Sequence, residues 1–193
     1  MRFIGNKTQI LDKIKNVVDK HVTDATTFCD IFSGTASVAR YFKRWYKVYS
    51  NDLLYFSYCL QRGTVEAPHK PSFDGLHDTW NIQNPISYFN SMSTKDMEVL
   101  PEDKRFFQNS YAPTGGRMYM TDSNALRIDF ARNTVEAWKK EGVLTDDEYF
   151  YLVACIIEGI PFISNIHGTY GAFSKTWDKR ASKVFQVIDL RKE

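Results

Sequence analysis

The sequence predicts an α/β fold in which an incomplete open parallel sheet is followed by a mainly helical insertion. Three observations carry this. Residues 27–38 run from apolar, β-favouring positions through Asp30 and a one-glycine turn at Gly34 into a helical pattern, as strand, loop and helix. A second strand, Lys47-Val48-Tyr49-Ser50, then ends on Asn51-Asp52. After Leu60 the pattern turns helical, and only residues 184–190 read as one further strand. Two or three strands do not complete a doubly wound sheet.

Ligands of open α/β sheets lie across the carboxyl ends of the strands, where a glycine lets them approach the backbone. The turn at Gly34 is neither a dinucleotide fingerprint nor a phosphate-binding P-loop, so it suits a smaller ligand. Asp52 closes the second strand about twenty residues after the first, where a nucleoside-binding sheet places a carboxylate for ribose hydroxyls. Taken singly, Gly34 equally suits any strand–helix turn and Asp52 equally suits a helix N-cap. Their pairing favours the ligand reading.

A chain of 193 residues accommodates one domain with a real core, or one and a half small ones. Hydrophobic residues at 43% and aromatics at 15% exclude a disordered chain. A net charge of +2 excludes a global basic field, so any polyanion contact must be local. Cys29, Cys59 and Cys155 are far apart and the histidines do not cluster, so neither a disulfide framework nor a metal site is expected. No apolar run reaches membrane-spanning length, and Lys7, Asp12, Lys13 and Lys15 interrupt any signal-peptide core. A cytoplasmic protein without membrane contact is the expectation.

Along the chain, residues 1–5 read as an extended arm. A helix over 8–22 carries Ile10, Leu11, Ile14, Val17 and Val18 on one face. The helix after Gly34 reaches about Tyr46 and buries Val38, Phe42 and Trp45; another covers 53–60. Residues 62–85, with Pro68, Pro71, Gly75 and Pro85, read as loop. Short helices follow at 86–92 and 101–109, a loop at 110–117, and a long helix at 122–141. Thr145 and Glu148 form a capping box opening the last helix, to about 159, whose Tyr149, Leu152, Val153, Ile156 and Ile157 make it the most buried. A polar, glycine-punctuated stretch at 164–175 and a basic end complete the chain.

Four segments together resemble a known family: Arg2-Phe3-Ile4-Gly5-Asn6-Lys7 ahead of a helix, residues 30–37 followed by Asn51-Asp52, residues 109–119, and residues 165–173. In this order they resemble adenine-specific DNA methyltransferases of restriction–modification systems, the Dam-like group that uses S-adenosylmethionine. The resemblance spans nearly the whole chain. It implies an incomplete Rossmann-like methyltransferase sheet and assigns Phe3, Gly5, Asn6 and Lys7 to the methionine end of the cofactor. Lys7 or nearby backbone N–H groups would face the cofactor's carboxylate. Asp30, Phe32, Ser33, Gly34, Thr35, Ala36 and Ser37 would wrap the methionyl part, with Asp30 accepting from its ammonium and the helix N-terminus near its carboxylate. Asp52 would bind the ribose and Leu53 would pack on the adenine ring. Ala36 stands where the family commonly has a second glycine; alanine needs an ordinary φ, so a slightly reshaped loop is expected.

The resemblance divides the chain into residues 1–61, the front of the cofactor-binding domain; 62–180, a helical target-recognition region; and 181–193, a return strand toward the catalytic part. The implied partner is double-stranded DNA, from which the adenine must be flipped. Asn109, Tyr111 and Arg117 around the Gly115-Gly116 turn, with Asn165, Tyr170, Lys175, Lys179 and Arg180, are the implied DNA contacts. The family's catalytic Asp-Pro-Pro-Tyr is absent, since no Pro-Pro pair occurs. The chain is therefore expected to hold no catalytic residue and to be inactive alone. It reads as an engineered fragment, a truncated product or one subunit of a split enzyme, with a complementing polypeptide or self-association through the sheet edge. The alternative is a non-catalytic DNA-binding or regulatory module.

Overall fold

A computed structural model describes residues 5–67, 69–167 and 170–190. Strand β1 (Thr27–Asp30) pairs in parallel with β2 (Lys47–Ser50), in the register Thr27↔Lys47 through Asp30↔Ser50. These are the only two strands among the described residues. Alternation puts Phe28, Asp30, Val48 and Ser50 on the more buried face, with Thr27, Cys29, Lys47 and Tyr49 exposed.

Two helices accompany this sheet: α1 (Leu11–His21) and α2 (Ser37–Phe42). Phe42 stacks on Phe28 with ring centroids 4.1 Å apart and seals α2 onto β1. That helix ends earlier than the pattern predicts, because the chain must turn over residues 43–46 to enter β2. Trp45 consequently stays about half exposed instead of buried, with the Lys15 ammonium 4.5 Å from its ring centroid. The amphipathic α1 buries none of its residues, leaving Val17 exposed, as is Ile10 just ahead of it. It is held at its rim, where Tyr41 donates to Asp12 at 2.6 Å. A two-stranded sheet offers no surface broad enough for its apolar stripe.

The helical part begins with α3 (Tyr55–Gln61), which runs into one π-helical turn, Arg62–Glu66. Next come α4 (Asp74–Trp80), α5 (Pro85–Ser91), α6 (Thr94–Met97), α7 (Phe106–Tyr111), α8 (Asp122–Lys140) and α9 (Asp146–Gly159). The π turn and α4 occupy the stretch predicted as loop. Burial of Phe73 and Leu76 recruits α4 although no side chain caps its start. The capping box on α9 forms as expected, with Glu148 accepting from the Thr145 N–H at 2.8 Å. Helix α9 is the centre of the core: Tyr151, Leu152, Ala154 and Cys155 are fully buried against Leu60, Phe73, Ile128 and Val135.

Residues 184–190 form no strand. They run along the helices instead, Phe185 donating its N–H to Asn124 Oδ1 at 2.7 Å, Val187 to Asn90 Oδ1 at 2.8 Å and Ile188 to the Cys155 carbonyl at 3.2 Å. Side-chain acceptors replace the ladder a strand would need. Among the described residues, no helix is long and apolar enough to cross a membrane, and no group of metal-ligating side chains assembles.

The π turn meets α9 through Gly63. A Cβ there would lie 2.7 Å from Ala154 Cβ and 2.8 Å from the Phe150 carbonyl oxygen, so only glycine permits this crossing. Gly63→Ala is expected to lower the unfolding free energy by about 1–3 kcal/mol, read from urea denaturation. An unchanged midpoint would mean that α3 and α9 do not depend on this contact.

Candidate cofactor cleft and DNA-facing surface

The carboxyl ends of β1 and β2 lie side by side, and the chain between them is stitched to both. Asn51 donates its N–H to the Asp30 carbonyl, and Ser33 donates to the Asn51 carbonyl, each at 2.9 Å. Gly34, at φ +53°, gives its N–H to Asp52 Oδ2 at 2.8 Å, while Asp52 Oδ1 accepts from the Leu54 N–H at 3.0 Å. The Gly34 carbonyl accepts from the Ser57 hydroxyl, which itself accepts from Gln61 Nε2 at 3.1 Å. Sequence reasoning missed Ser57 and Gln61. Their only signal was two polar residues in an otherwise apolar and aromatic helix.

Ala36 departs from the expectation of an ordinary φ. It sits at φ +59°, ψ +15°, fully buried, and so keeps the left-handed geometry that a glycine would take. That geometry costs a residue with a Cβ about 1–2 kcal/mol. The Ala36 N–H to the Ser33 carbonyl and its own carbonyl to the Arg40 N–H, at 2.8 and 2.9 Å, hold it there.

Asp30 stands at the mouth of this turn. Burial raises its carboxyl pKa above 3.8; the Ser33 hydroxyl and the Ala39 amide pull the other way, and the charge of Asp52 adds to the rise. Ser33 and Ala39 lie close enough to ease the charge, yet neither makes a hydrogen bond of good geometry to it: Asp30 Oδ2 and Ser33 Oγ are both buried without such a partner among the described residues. Such an orphaned acceptor is uncommon and fits a cation brought by a ligand. Ser33 and Thr35 are buried beside Ala36, and Gly34 and Ser37 half-buried. Phe32 is 88% exposed and Leu53 97% exposed, both at the open side of the turn.

The N-terminal arm is arranged locally. Asn6 Oδ1 accepts from the Thr8 N–H at 2.8 Å, and Lys7 Nζ donates to the Gly5 carbonyl at 2.8 Å. Lys7 is thus engaged within the arm. Phe3 lies outside the described residues.

The second set of candidates gathers after α7. A carboxylate from α8 caps that helix, Asp129 Oδ1 accepting from the Phe107 N–H at 2.8 Å and Oδ2 from the Gln108 N–H at 2.9 Å. A Cβ on Gly115 would overlap the Asn109 carbonyl, and Gly116 sits at φ +71°, so both glycines are required by the turn. Arg117 reaches back with Nη1 to the Ser110 carbonyl at 3.1 Å, and the Thr114 N–H donates to Asp122 Oδ1 at 3.0 Å. Asn109 and Arg117 are exposed, and Tyr111 lies edge-on to Tyr119 with centroids 5.7 Å apart. The three predicted residues do share one turn.

The later candidates divide. Asn165 is 0% exposed and both of its amide donors are used: Nδ2 donates to the Met118 and Ser174 carbonyls at 2.9 and 3.0 Å, and Oδ1 accepts from the Asp178 N–H at 3.0 Å. Buried in this way it presents no group to a base edge, so the structure gives it a structural role in place of the expected DNA contact. Tyr170 shares a 2.9 Å hydrogen bond with Ser164, and burial raises its pKa. Arg180 Nη2 is spent on the Ile166 carbonyl at 2.8 Å and on Asp178 at 3.4 Å. Lys175 and Lys179 are exposed. Through Met118 and Tyr119, Asn165 ties their segment to the turn that carries Arg117.

Comparison with known proteins identifies the relatives of this chain. The chain is 44% identical over 192 residues to Modification methylase StsI of Streptococcus sanguinis, covering 98% of this chain and 28% of that protein. It is 46% identical over 184 residues to Type II methyltransferase M.FokI of Planomicrobium okeanokoites, with 94% of this chain and 28% of the relative covered. Type II methyltransferase M.CviAII of Paramecium bursaria Chlorella virus 1 is 32% identical over 193 residues, 98% of this chain and 54% of its own length. The chain therefore spans between about a quarter and about half of these relatives. No solved structure matches it significantly. The family model described as D12 class N6 adenine-specific DNA methyltransferase matches residues 3–191, and the chain belongs to that family.

Proposed function

We propose that this chain is the N-terminal portion of a site-specific DNA adenine-N6 methyltransferase of a restriction–modification system, acting in the cytoplasm with S-adenosylmethionine on double-stranded DNA. The observation that carries the cofactor reading is the orphaned, buried Asp30 Oδ2 at the carboxyl ends of β1 and β2. A methionyl ammonium satisfies that oxygen and offsets the cost of burying it. Each Asp52 oxygen accepts one backbone N–H and retains a second acceptor site for a ribose hydroxyl. Leu53 offers a fully solvated apolar side chain to the adenine ring. Phe32, Ser33, Thr35, Ala36 and Ser37 form the wall around the methionyl part, and Gly5, Asn6 and Lys7 close the amino-terminal side. When bound, the cofactor supplies an electrophilic methyl group for direct in-line displacement, a reaction governed by positioning.

On the DNA side, exposed Asn109 and Arg117 face a groove while Lys175 and Lys179 contact phosphates. Tyr111, Asn165, Tyr170 and Arg180 hold that surface in shape. The residues that orient and stack on the flipped adenine lie outside these 193 residues, in sequence that also supplies further strands of a Rossmann-like sheet and covers the exposed stripe of α1.

The cofactor reading is tested by calorimetry. Asp30→Asn is expected to weaken S-adenosylmethionine binding by about 1.5–3 kcal/mol, the range for a hydrogen bond to a charged group. The pH dependence has a definite sign. A bound ammonium keeps Asp30 ionised, so affinity falls as pH drops through its raised pKa in the ligand-free protein. The ligand-free chain responds oppositely: because the folded pKa is raised, Asp30 costs stability above it, and that cost disappears as pH falls. Affinity independent of both pH and Asp30 would remove this carboxylate from the site.

The DNA reading is tested by salt titration of duplex binding. Lys175→Ala with Lys179→Ala is expected to reduce the slope of log affinity against log salt by about 2, one for each phosphate left without its lysine. The same preparation is expected to transfer no methyl group to DNA by itself. A slope unchanged by the double substitution would place the phosphates elsewhere, and methylation by the chain alone would place the chemistry within it.

A further inference from the structure

Helix α8 carries a charge in an unusual place. Asp129 is 1% exposed, midway along a helix whose other side is packed into the core. Burial raises its pKa, while the Phe107 and Gln108 amides and the charge of Arg105 oppose the rise. The Arg105 guanidinium is itself committed to the Leu100 and Glu98 carbonyls at 2.8 and 2.9 Å. An anion held in this way is expensive to bury, and a simple helix–helix contact does not require one.

What the carboxylate does is fix α7. That helix has six residues and no capping side chain of its own, because Arg105 precedes it with no side-chain cap hydrogen bond. The two backbone donors at its start, otherwise orphaned, are taken by the two oxygens of Asp129. One turn further along α8, Asn133 Nδ2 holds the Lys104 carbonyl at 3.0 Å. These contacts set both the axial position and the rotation of α7. Everything that follows is referred to α7: Asn109 lies on it, Arg117 bonds back to Ser110, and the Tyr119 N–H returns to the Tyr111 carbonyl at 3.0 Å.

We propose that Asp129 is a positioning residue for DNA recognition: its carboxylate, carried by the core helix α8, holds α7 in the register that presents Asn109 and Arg117 to the duplex. The inference rests on the reading of that turn as DNA-facing. Asp129 itself touches no ligand. Conservative replacement by asparagine keeps the size but turns one acceptor into a donor facing an N–H.

The test uses the 193-residue chain and a fluorescent duplex of mixed sequence at low salt. Asp129→Asn is expected to weaken duplex binding by about tenfold or more, to raise amide hydrogen exchange at Phe107 and Gln108, and to leave S-adenosylmethionine affinity unchanged. Val135→Ala, a core truncation on the same helix, is expected to lower thermal stability while sparing duplex affinity. Equal loss of duplex binding in the two variants would reduce Asp129 to a stability role and overturn the proposal. Asp129→Ser is the milder second variant; if neither Asp129 variant folds, the carboxylate is a fold determinant and the proposal fails. Arg117→Ala separates the two levels. If it binds the duplex as the parent does, or if the parent does not bind at all, the DNA-facing reading of the turn falls, and the inference falls with it.

Discussion

Gly34 is gripped through both of its backbone groups, and the arrangement of the whole proposed cofactor end follows from that grip. Its N–H goes to Asp52 at the end of β2 and its carbonyl to Ser57 in the first turn of α3. Leaving either of these half-buried backbone groups unpaired would cost up to about 1–3 kcal/mol. Because α3 continues through the Gly63 turn onto α9, this one residue is common to the sheet, the turn and the helical core. Two further ties reinforce the join. Lys43 donates to the Thr64 and Val65 carbonyls at 2.8 and 3.3 Å, and Arg40 meets Glu158 at 3.5 Å. Burial lowers the Lys43 pKa, so that tie is made at a desolvation cost.

The division of labour among polar residues follows the same logic. Buried residues whose side chains bond internally shape the surface, and exposed residues with spare groups are the ones proposed to use it. Asn165 is buried with both amide donors used and links residues 174–178 to Met118 and Tyr119. Arg117 spends part of its guanidinium on Ser110 and remains exposed. Asp30 has the opposite character, a buried acceptor whose Oδ2 has no hydrogen-bond partner among the described residues. The proposed site is thus marked by what those residues do not satisfy.

Much of this was legible in the sequence where the signal is local. The two strands, the Gly34 turn and the capping box of α9 all rest on residues close together in the chain, and they appear where the pattern places them. The readings that failed depend on tertiary partners. Pro68, Pro71 and Gly75 made residues 62–85 look like loop, yet burial of Phe73 and Leu76 supports α4, and Ala154 packs on the π turn. Residues 184–190 alternate like a strand, but Asn90 and Asn124 supply their hydrogen bonds. The apolar stripe of α1 was visible although its cover is absent from the described residues. Ala36 was read by its Cβ, whereas a fully buried, doubly bonded position imposes the left-handed geometry regardless. Asp129 gave no signal, and Ser57 only that of a polar residue in an apolar and aromatic helix, because each acts on backbone groups far away in sequence.

The central claim is that the cofactor turn is preorganised by the grip on Gly34 and not by the turn sequence alone. Ser57→Ala tests it most directly, since it removes one hydroxyl that touches no ligand and leaves the Gly34 carbonyl without its donor. Calorimetric titration with S-adenosylmethionine should show binding weakened by about 1–2 kcal/mol relative to the parent chain. Parental affinity in the Ser57→Ala protein would contradict the account.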